Sequence, residues 1–200
     1  MSSTAPVTIK PVPDGRRLRS ERSRQAILDA ILELIEEGNL GPTAQQVSER
    51  AGVGIRSVFR HFSDMESLYA TLDAQLHEAR EAGSVGGNRE GTLEQRILRA
   101  VEHHIDCYVT FQNPMLFTKA QLWRYEVLRN NYARVQRNLR KDLDGWLPEL
   151  KSIPKSRREA IDAITSFEMW HRLRFNQGLS KKLSMEIVVG MLTQQLKEPE

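Results

Sequence analysis

The chain has 200 residues, of which 40% are hydrophobic and 28% are charged, a composition typical of globular proteins and unlike that of disordered chains. Its longest apolar runs are far shorter than the roughly 18 residues of a membrane span, and its N-terminus lacks the apolar segment of a signal peptide, so we expect a cytoplasmic protein. The single cysteine, Cys107, excludes an internal disulfide and a zinc site built from cysteines.

The N-terminal segment 1–19 is rich in proline and small polar residues, which predicts a disordered arm. Residues 1–24 contain six basic side chains against two acidic ones, whereas the whole chain has a formal net charge of only +3. This basic arm is either a solubilising tail or a segment that contacts the phosphates or the minor groove of DNA.

Three short-range patterns predict a helix-turn-helix near the N-terminus. Apolar residues at helical spacing predict a first helix from a Ser20 cap to a stop at Gly38. The sequence "TAQQ" has the spacing of a capping box and predicts a second, short helix that ends at Gly52. Gly54 is the expected cap of a third helix, "IRSVFRHF", so that the helix-turn-helix spans about residues 43–62.

The third helix has the side chains expected of a helix that enters the DNA major groove. If Val58 and Phe62 hold it to its own domain, arginine, serine and an aromatic ring cover the rest of its surface. Arginine binds guanine through two hydrogen bonds, serine bonds bases or phosphate, and an aromatic ring packs on thymine methyl. The N-termini of the second and fourth helices favour phosphate. The candidate DNA-binding residues are Thr43, Gln45, Gly54, Ile55, Arg56, Ser57, Phe59, Arg60, His61 and Ser63.

Helical periodicity continues to the end of the chain, and no alternating strand pattern appears. A glycine-rich segment at 83–91 separates the fourth helix from the rest. The remaining helices are predicted from Ser63 to this segment, from Thr92 to the "NP" pair at 113, once or twice within 114–147, at about 155–177, and from a Ser184 cap to about Leu196.

Residues 20–81 closely resemble the DNA-binding domain of TetR-family transcriptional regulators. The stretches "TAQQVSERAGVGIRSVFRHF" and "SDMESLYA" have the order and spacing of that family. The chain departs from the family pattern at Gly54, Phe59 and Met65, where serine, tyrosine and lysine are usual. Each change removes a polar phosphate contact that the basic arm could supply. "SFEMWHRLRFNQGLS" and the last helix resemble the end of the family.

The resemblance implies an all-α protein with a disordered basic arm at 1–19, a helix-turn-helix domain at 20–81 and a helical effector-binding and dimerisation domain at 82–200. It implies a ligand-responsive repressor that binds a palindromic operator as a homodimer. The expected partners are double-stranded DNA, a second copy of the chain and an apolar or aromatic small molecule, with no cofactor and no membrane. A transcriptional activator of the same fold, and a helical interaction module without DNA binding, remain alternatives.

Aromatic residues in the C-terminal part either pack a core or line an apolar cavity between helices, the usual kind of small-molecule site. A metal or reactive thiol near His104 and Cys107 is less favoured than a hydrogen-bonded, buried histidine beside a core thiol. No further metal ligand has suitable spacing, and Ser63 has neither a pocket nor an orienting acid, so neither a metal site nor an enzyme is expected. The candidate ligand-binding residues are His104, Tyr108, Phe111, Trp123, Phe167 and Trp170.

Broad apolar stripes on the last two predicted helices indicate a partner surface. Gly190 lies in the second stripe, where it either lets two helices approach closely or relieves crowding within one subunit. The candidate dimer-interface residues are Ile161, Ile164, Val188, Met191 and Leu192.

Overall fold

The computed structural model describes residues 15–84 and 87–197. In these ranges the regular structure is helical throughout, without a strand, and no helix is long and apolar enough to cross a membrane. The helices are α1 (Gly15–Glu36), α2 (Ala44–Arg50), α3 (Ile55–His61), α4 (Met65–Ser84), α5 (Leu93–Thr110), α6 (Gln112–Gln121), α7 (Glu126–Trp146), α8 (Lys155–Ile164), α9 (Phe167–His171) and α10 (Lys181–Leu196), with a 3-10 turn at Pro148–Lys151 and a π-helical turn at Arg172–Asn176.

Helix α1 begins earlier than the sequence indicated. It starts at Gly15, so the prediction of disorder is wrong for residues 15–19, and Ser20 lies inside the helix instead of capping it. Arginine, leucine and glutamate dominate this stretch and are good helix formers, which explains why the helix continues past the serine. Residues 1–14 of the predicted arm lie outside the described part of the chain.

The caps of the next helices mostly agree with those predicted from the sequence. Thr43 and Gln46 form the predicted capping box of α2, and Gly52 has the left-handed backbone, with φ of 64°, that the turn requires. Gly54 precedes α3 as expected. Helix α4 differs, because its first free amides are bonded by Asp64 instead of Ser63: the Ser67 amide donates to Asp64 Oδ1 at 2.7 Å.

A first hydrophobic core joins α1–α4 to two later helices. Ile27, Ile31 and Val47 have no exposed surface, and Phe117 of α6 and Leu128 of α7 are buried in the same cluster. Tyr69 of α4 packs edge-to-face on Phe117 with ring centroids 5.0 Å apart. The helix-turn-helix therefore rests on α6 and α7, and a shift of these helices would be transmitted to it.

A second core lies among α5, α7, α8, α9 and α10. Helix α10 packs on both α5 and α8. It starts after a Ser180 cap, one turn before the predicted Ser184, which is fully buried. The segment predicted as one helix at 155–177 is interrupted at Thr165, and Ser166 caps the short α9 that follows.

Most of the predicted dimer-interface residues belong to this second core. Ile161 and Leu192 have no exposed surface in the single chain, and Ile164 and Val188 are also buried. The apolar stripes of α8 and α10 thus pack within one subunit, an arrangement that gives the same sequence pattern as a surface for a partner. Of the five predicted residues, only Met191 keeps part of its side chain exposed.

Candidate nucleic-acid interface

Helix α3 has a buried side and an outward side. Val58 and the capping residue Phe62 are buried, as predicted, and attach the helix to α1 and α4. On the opposite side Ile55 is 39% exposed and Phe59 is 47% exposed, values that are high for large apolar side chains. Arg56 and Arg60 are exposed beside them, so two guanidinium groups and two apolar groups face outward together.

Ser57 and His61 are less accessible than the other predicted residues of α3, since both are only partly exposed. The His61 Nε2 atom is buried and has no hydrogen-bond partner in the described part of the chain. Burial lowers the pKa of this imidazole below its usual value, and the charges of Arg60 and Arg24 lower it further. A neutral, packed His61 supports the helix and is a poor candidate for a charged DNA contact.

The predicted phosphate-binding residues lie at two helix N-termini. Thr43 and Gln45 are exposed at the start of α2, although the Gln45 side chain also donates to Glu49 at 2.6 Å. Ser63 is exposed just before α4 and bonds the neighbouring Asp64 carboxylate at 3.3 Å. This carboxylate opposes phosphate binding at the start of α4, so the start of α2 is the better anion site.

The start of α1 adds a basic surface next to α3 that the sequence placed on a disordered arm. The Arg24 guanidinium lies 5.1 Å from the centroid of the Phe62 ring, which brings α1 beside the end of α3. The preceding turns are exposed and contain Arg16, Arg17, Arg19 and Arg22, with Glu21 as the acidic residue among them. These arginines have a fixed helical spacing, which a disordered arm would lack.

A sequence profile of bacterial regulatory proteins of the tetR family matches residues 27–72, the stretch from α1 through most of α4. This part of the chain is therefore similar to the N-terminal domain of that family. No curated protein sequence matches the chain significantly.

Solved structures extend this similarity to the fold of the whole TetR-type chain. A Rhodococcus sp. protein assigned to the TetR family of transcriptional regulators superimposes with a TM-score of 0.64, at 20% identity, over 88% of this chain and 100% of its own. A transcriptional regulator from Rhodococcus sp. Rha1 gives a TM-score of 0.64 at 19% identity, over 88% of this chain and 96% of its own. A TetR-family regulator from Streptomyces coelicolor gives a TM-score of 0.62 at 16% identity, over 86% of this chain and 80% of its own. The chain therefore shares the fold of these structures over most of its length.

The C-terminal part of this TetR-type fold contains a cavity of about 430 Å³ between α4, α5 and α7. The predicted ligand residue His104 lines it, and Tyr108 lines an adjacent cleft of about 240 Å³. Phe111 packs under Arg80, one of the cavity residues. The complete lining is His77, Arg80, His103, His104, Cys107, Val135, Asn138, Leu139, Lys141 and Asp142.

The other predicted aromatic residues lie elsewhere. Trp123 is 78% exposed in the turn between α6 and α7, so its assignment to a ligand cavity is wrong. Phe167 and Trp170 are buried in the second core, where their bulk fills space between helices. Aromatic content alone therefore could not distinguish core, cavity and surface positions.

Asp142 of α7 joins three segments at the edge of the cavity, a role that no local sequence pattern indicates. Its Oδ2 atom lies 3.2 Å from His104 Nε2 on α5 and accepts from Trp146 Nε1 at 3.2 Å, while its Oδ1 atom accepts from Arg89 at 2.8 Å. His104 is thus the expected buried, hydrogen-bonded histidine. In the described residues no group of three His, Cys, Asp or Glu side chains is placed to hold a metal ion.

Proposed function

We propose that this chain is a repressor that binds a palindromic operator as a homodimer and leaves it when a small molecule occupies the cavity between α4, α5 and α7. The observation that carries this proposal is the outward side of α3 in a TetR-type domain, where Arg56 and Arg60 flank the exposed Phe59. Exposed apolar and guanidinium groups on a short helix match the edges and methyl groups of the major groove.

The roles of the outward residues follow from their chemistry. Arg56, in the first turn of α3, is our candidate for two hydrogen bonds to guanine, and Ile55 and Phe59 are candidates for contact with thymine methyl or sugar. Gly54 lets the backbone approach DNA closely because it has no side chain. The amides at the start of α2 and the arginines of α1 bind the flanking phosphates.

The ligand response depends on contacts between the two parts of the chain. Asp73 of α4 forms an ion pair with Arg134 of α7 at 2.7 Å, and Phe117 and Leu128 are buried against α1–α4. A molecule that enters between α4 and α7 changes the position of α4 and hence of α3. Recognition helices in a dimer must lie about 34–36 Å apart to enter successive major grooves, so a small rotation is enough to weaken operator binding.

The proposed dimer uses the outward residues of α10. Leu183 is 44% exposed, and Met191 and Ile187 are partly buried, so an apolar surface remains after the second core is filled. Gly190 is exposed, and apart from its chain neighbours and the backbone of its own helix no atom lies within 4 Å of the position that a Cβ would occupy. A second helix can therefore approach closely at this point.

Selection of duplexes from a random pool, followed by binding measurements in a salt series, tests this function. We expect enrichment of a palindrome and a steep fall of affinity with salt, because neutralised phosphates release counterions. The Arg56→Ala/Arg60→Ala double variant is the matched negative control, since both side chains are exposed and their loss leaves the core intact. An interaction module without DNA binding would enrich no sequence and show no difference between the two proteins.

A further inference from the structure

The stretch of chain between α1 and α2 is held in place by side chains of other helices. Segment 36–42 runs from the last residue of α1 to the residue before the Thr43 cap of α2. Three of its backbone carbonyls, those of Glu36, Leu40 and Pro42, accept hydrogen bonds from side chains of α6 or α4. The position of this segment, and of the helix-turn-helix that follows it, therefore depends on helices later in the chain.

Two of the three donors lie at opposite ends of α6. Asn113 Nδ2, in the first turn of α6, donates to the Glu36 carbonyl at 2.5 Å. The last carbonyls of a helix have no partner within it, so this bond satisfies a group that α1 leaves free. Gln121 Nε2, at the last residue of α6, donates to the Leu40 carbonyl at 2.7 Å. Helix α6 thus holds segment 36–42 at two points.

Gly41 lets the Gln121 side chain approach this segment closely. A Cβ at residue 41 would lie 3.3 Å from Gln121 Nε2, which is tighter than ordinary van der Waals contact. The Gly41 amide donates to the Asn39 side chain at 3.0 Å and so fixes the local turn. A residue without a side chain at position 41 is therefore part of the contact with α6.

The third donor is Tyr69 of α4. Its hydroxyl donates to the Pro42 carbonyl at 3.2 Å, and the residue is only 3% exposed, so this hydrogen bond is buried. The Tyr69 ring packs edge-to-face on Phe117 and on Tyr125, with ring centroids 5.0 Å apart in both pairs. These two contacts restrict the orientation of the ring and hence the position of its hydroxyl.

Helix α6 also reaches the second core. Met115 is buried in that core, whereas Phe117, two residues later, is buried in the first core. The helix has 10 residues and moves as one element, so a displacement of Met115 also displaces Asn113 and Gln121. A rearrangement of the second core therefore changes the position of segment 36–42.

We propose that Tyr69, Asn113 and Gln121 are positioning residues for operator recognition, which act through segment 36–42 without touching DNA. They fix the helix-turn-helix to α6 and so determine which half-site spacing a dimer accepts. This inference rests on the proposed function for the dimer and its palindromic operator. Recognition helices of a dimer must lie about 34–36 Å apart, so a helix-turn-helix released from α6 takes up several distances and loses its preference for one spacing.

Two duplexes that differ only in half-site spacing test the proposal. The first is the palindrome enriched from the random pool, and the second has one additional base pair between the half-sites, which rotates them by roughly 35°. We expect the wild type to prefer the first duplex by at least about tenfold. Tyr69→Phe and Gln121→Met should each reduce this preference by about two- to tenfold, the ratio that corresponds to one hydrogen bond.

The preference is a ratio of two affinities, so a general loss of stability does not change it. A variant that is only less stable binds both duplexes more weakly by the same factor. Thr71→Val is the control for Tyr69→Phe, because its hydroxyl is also on α4 but bonds the Ser67 carbonyl of the same helix at 2.9 Å. Gln112→Met is the control for Gln121→Met, because Gln112 is in α6 but takes no part in the three bonds.

Both controls should keep the wild-type preference for the enriched palindrome. An unchanged preference in Tyr69→Phe and Gln121→Met would overturn the proposal. An equal reduction in the two control variants would overturn it as well, since the effect would then not depend on the bonds to segment 36–42.

Hydrogen exchange of the full chain without DNA tests the same contacts independently. Loss of either donor should speed amide exchange across residues 37–62 by about two- to tenfold and leave α8 unchanged, because the bonds to segment 36–42 oppose local opening of the helix-turn-helix. Unchanged exchange across 37–62 in both variants would overturn the proposal.

Failure of this inference is distinguishable from failure of the proposed function. A chain that enriches a palindrome, and whose variants keep its spacing preference, would remain a DNA-binding regulator without these positioning residues. A chain that enriches no palindrome would lose the operator function and with it the spacing role, even if faster exchange in the variants showed that the helix-turn-helix is attached to α6.

Discussion

Asp142→Asn should destabilise the C-terminal part of the chain, because Asp142 fixes α5, α7 and the segment before α5 to one another. The carboxylate bonds His104, Trp146 and Arg89, and its side chain is only 18% exposed. Asparagine has nearly the same shape but a single acceptor oxygen and no charge. Loss of the Arg89 ion pair and of one charge-assisted hydrogen bond in a largely buried site should cost about 2–3 kcal/mol of unfolding free energy.

The effect of Asp142→Asn should also depend on pH in a defined direction. Burial acts to raise the pKa of Asp142, but the hydrogen bond from His104 and the charges of His104, His103 and Arg89 outweigh it, so the pKa lies below its usual value. The stabilisation is therefore complete above the unfolded pKa of about 3.9 and is lost as pH falls through the lower, folded value. The difference between the wild type and the variant should shrink over that acidic range.

Urea denaturation at pH 7 and at acidic pH, at one protein concentration, measures both effects. Asp106→Asn is the matched control, because Asp106 of α5 is also an ion-paired aspartate, 2.9 Å from Lys181, but its side chain is 69% exposed. This substitution should lower the free energy of unfolding by less than about 1 kcal/mol. If Asp142→Asn costs no more than Asp106→Asn, or if its cost is the same at both pH values, the assigned role of Asp142 is wrong.

Three further variants test the DNA surface and the dimer. Arg56→Ala should weaken operator binding by roughly 1–3 kcal/mol and relax the preference for one base pair. A panel of single-base operator variants checks this prediction. Equal losses on every duplex would assign Arg56 to a phosphate contact. Deletion of residues 1–19 should weaken binding to all duplexes alike and reduce the salt slope, and an unchanged slope would make these residues bystanders. Met191→Glu should give folded monomers in sedimentation, whereas Leu192→Glu, at a fully buried position, should unfold the second core; a folded monomer from Leu192→Glu would contradict the packing described here.

The helix-turn-helix could be predicted closely because its signals are local. The Thr43 capping box, the left-handed Gly52 and the cap at Gly54 each act within a few residues, so they identify α2 and α3 without knowledge of the rest of the chain. The errors at Ser63 and Ser184 have one cause. A serine is a possible cap wherever it occurs, and a neighbouring residue, such as Asp64 or Ser180, can serve instead.

The cavity could not be predicted in the same way, because it depends on which helices pack together. His77 and Arg80, Cys107 and Lys141 lie far apart in sequence and meet only because α4 and α5 both pack against α7. Apolar periodicity shows that a helix has a buried side but does not identify its neighbour. The same ambiguity explains why the stripes of α8 and α10 suggested a partner surface when they fill the core of their own chain.

The first core connects the cavity between α4, α5 and α7 to the helix-turn-helix through shared helices. Helix α4 contributes Arg80 to the cavity and Leu68 and Tyr69 to the first core, and α7 contributes Lys141 to the cavity and Leu128 to that core. A ligand in this cavity would therefore act on the two helices that support the helix-turn-helix. A ligand can shift the position of α3 only by the difference between its affinities for the two arrangements of these helices. A ligand that contacts both α4 and α7 makes this difference large, since moving α4 from α7 removes part of its contacts.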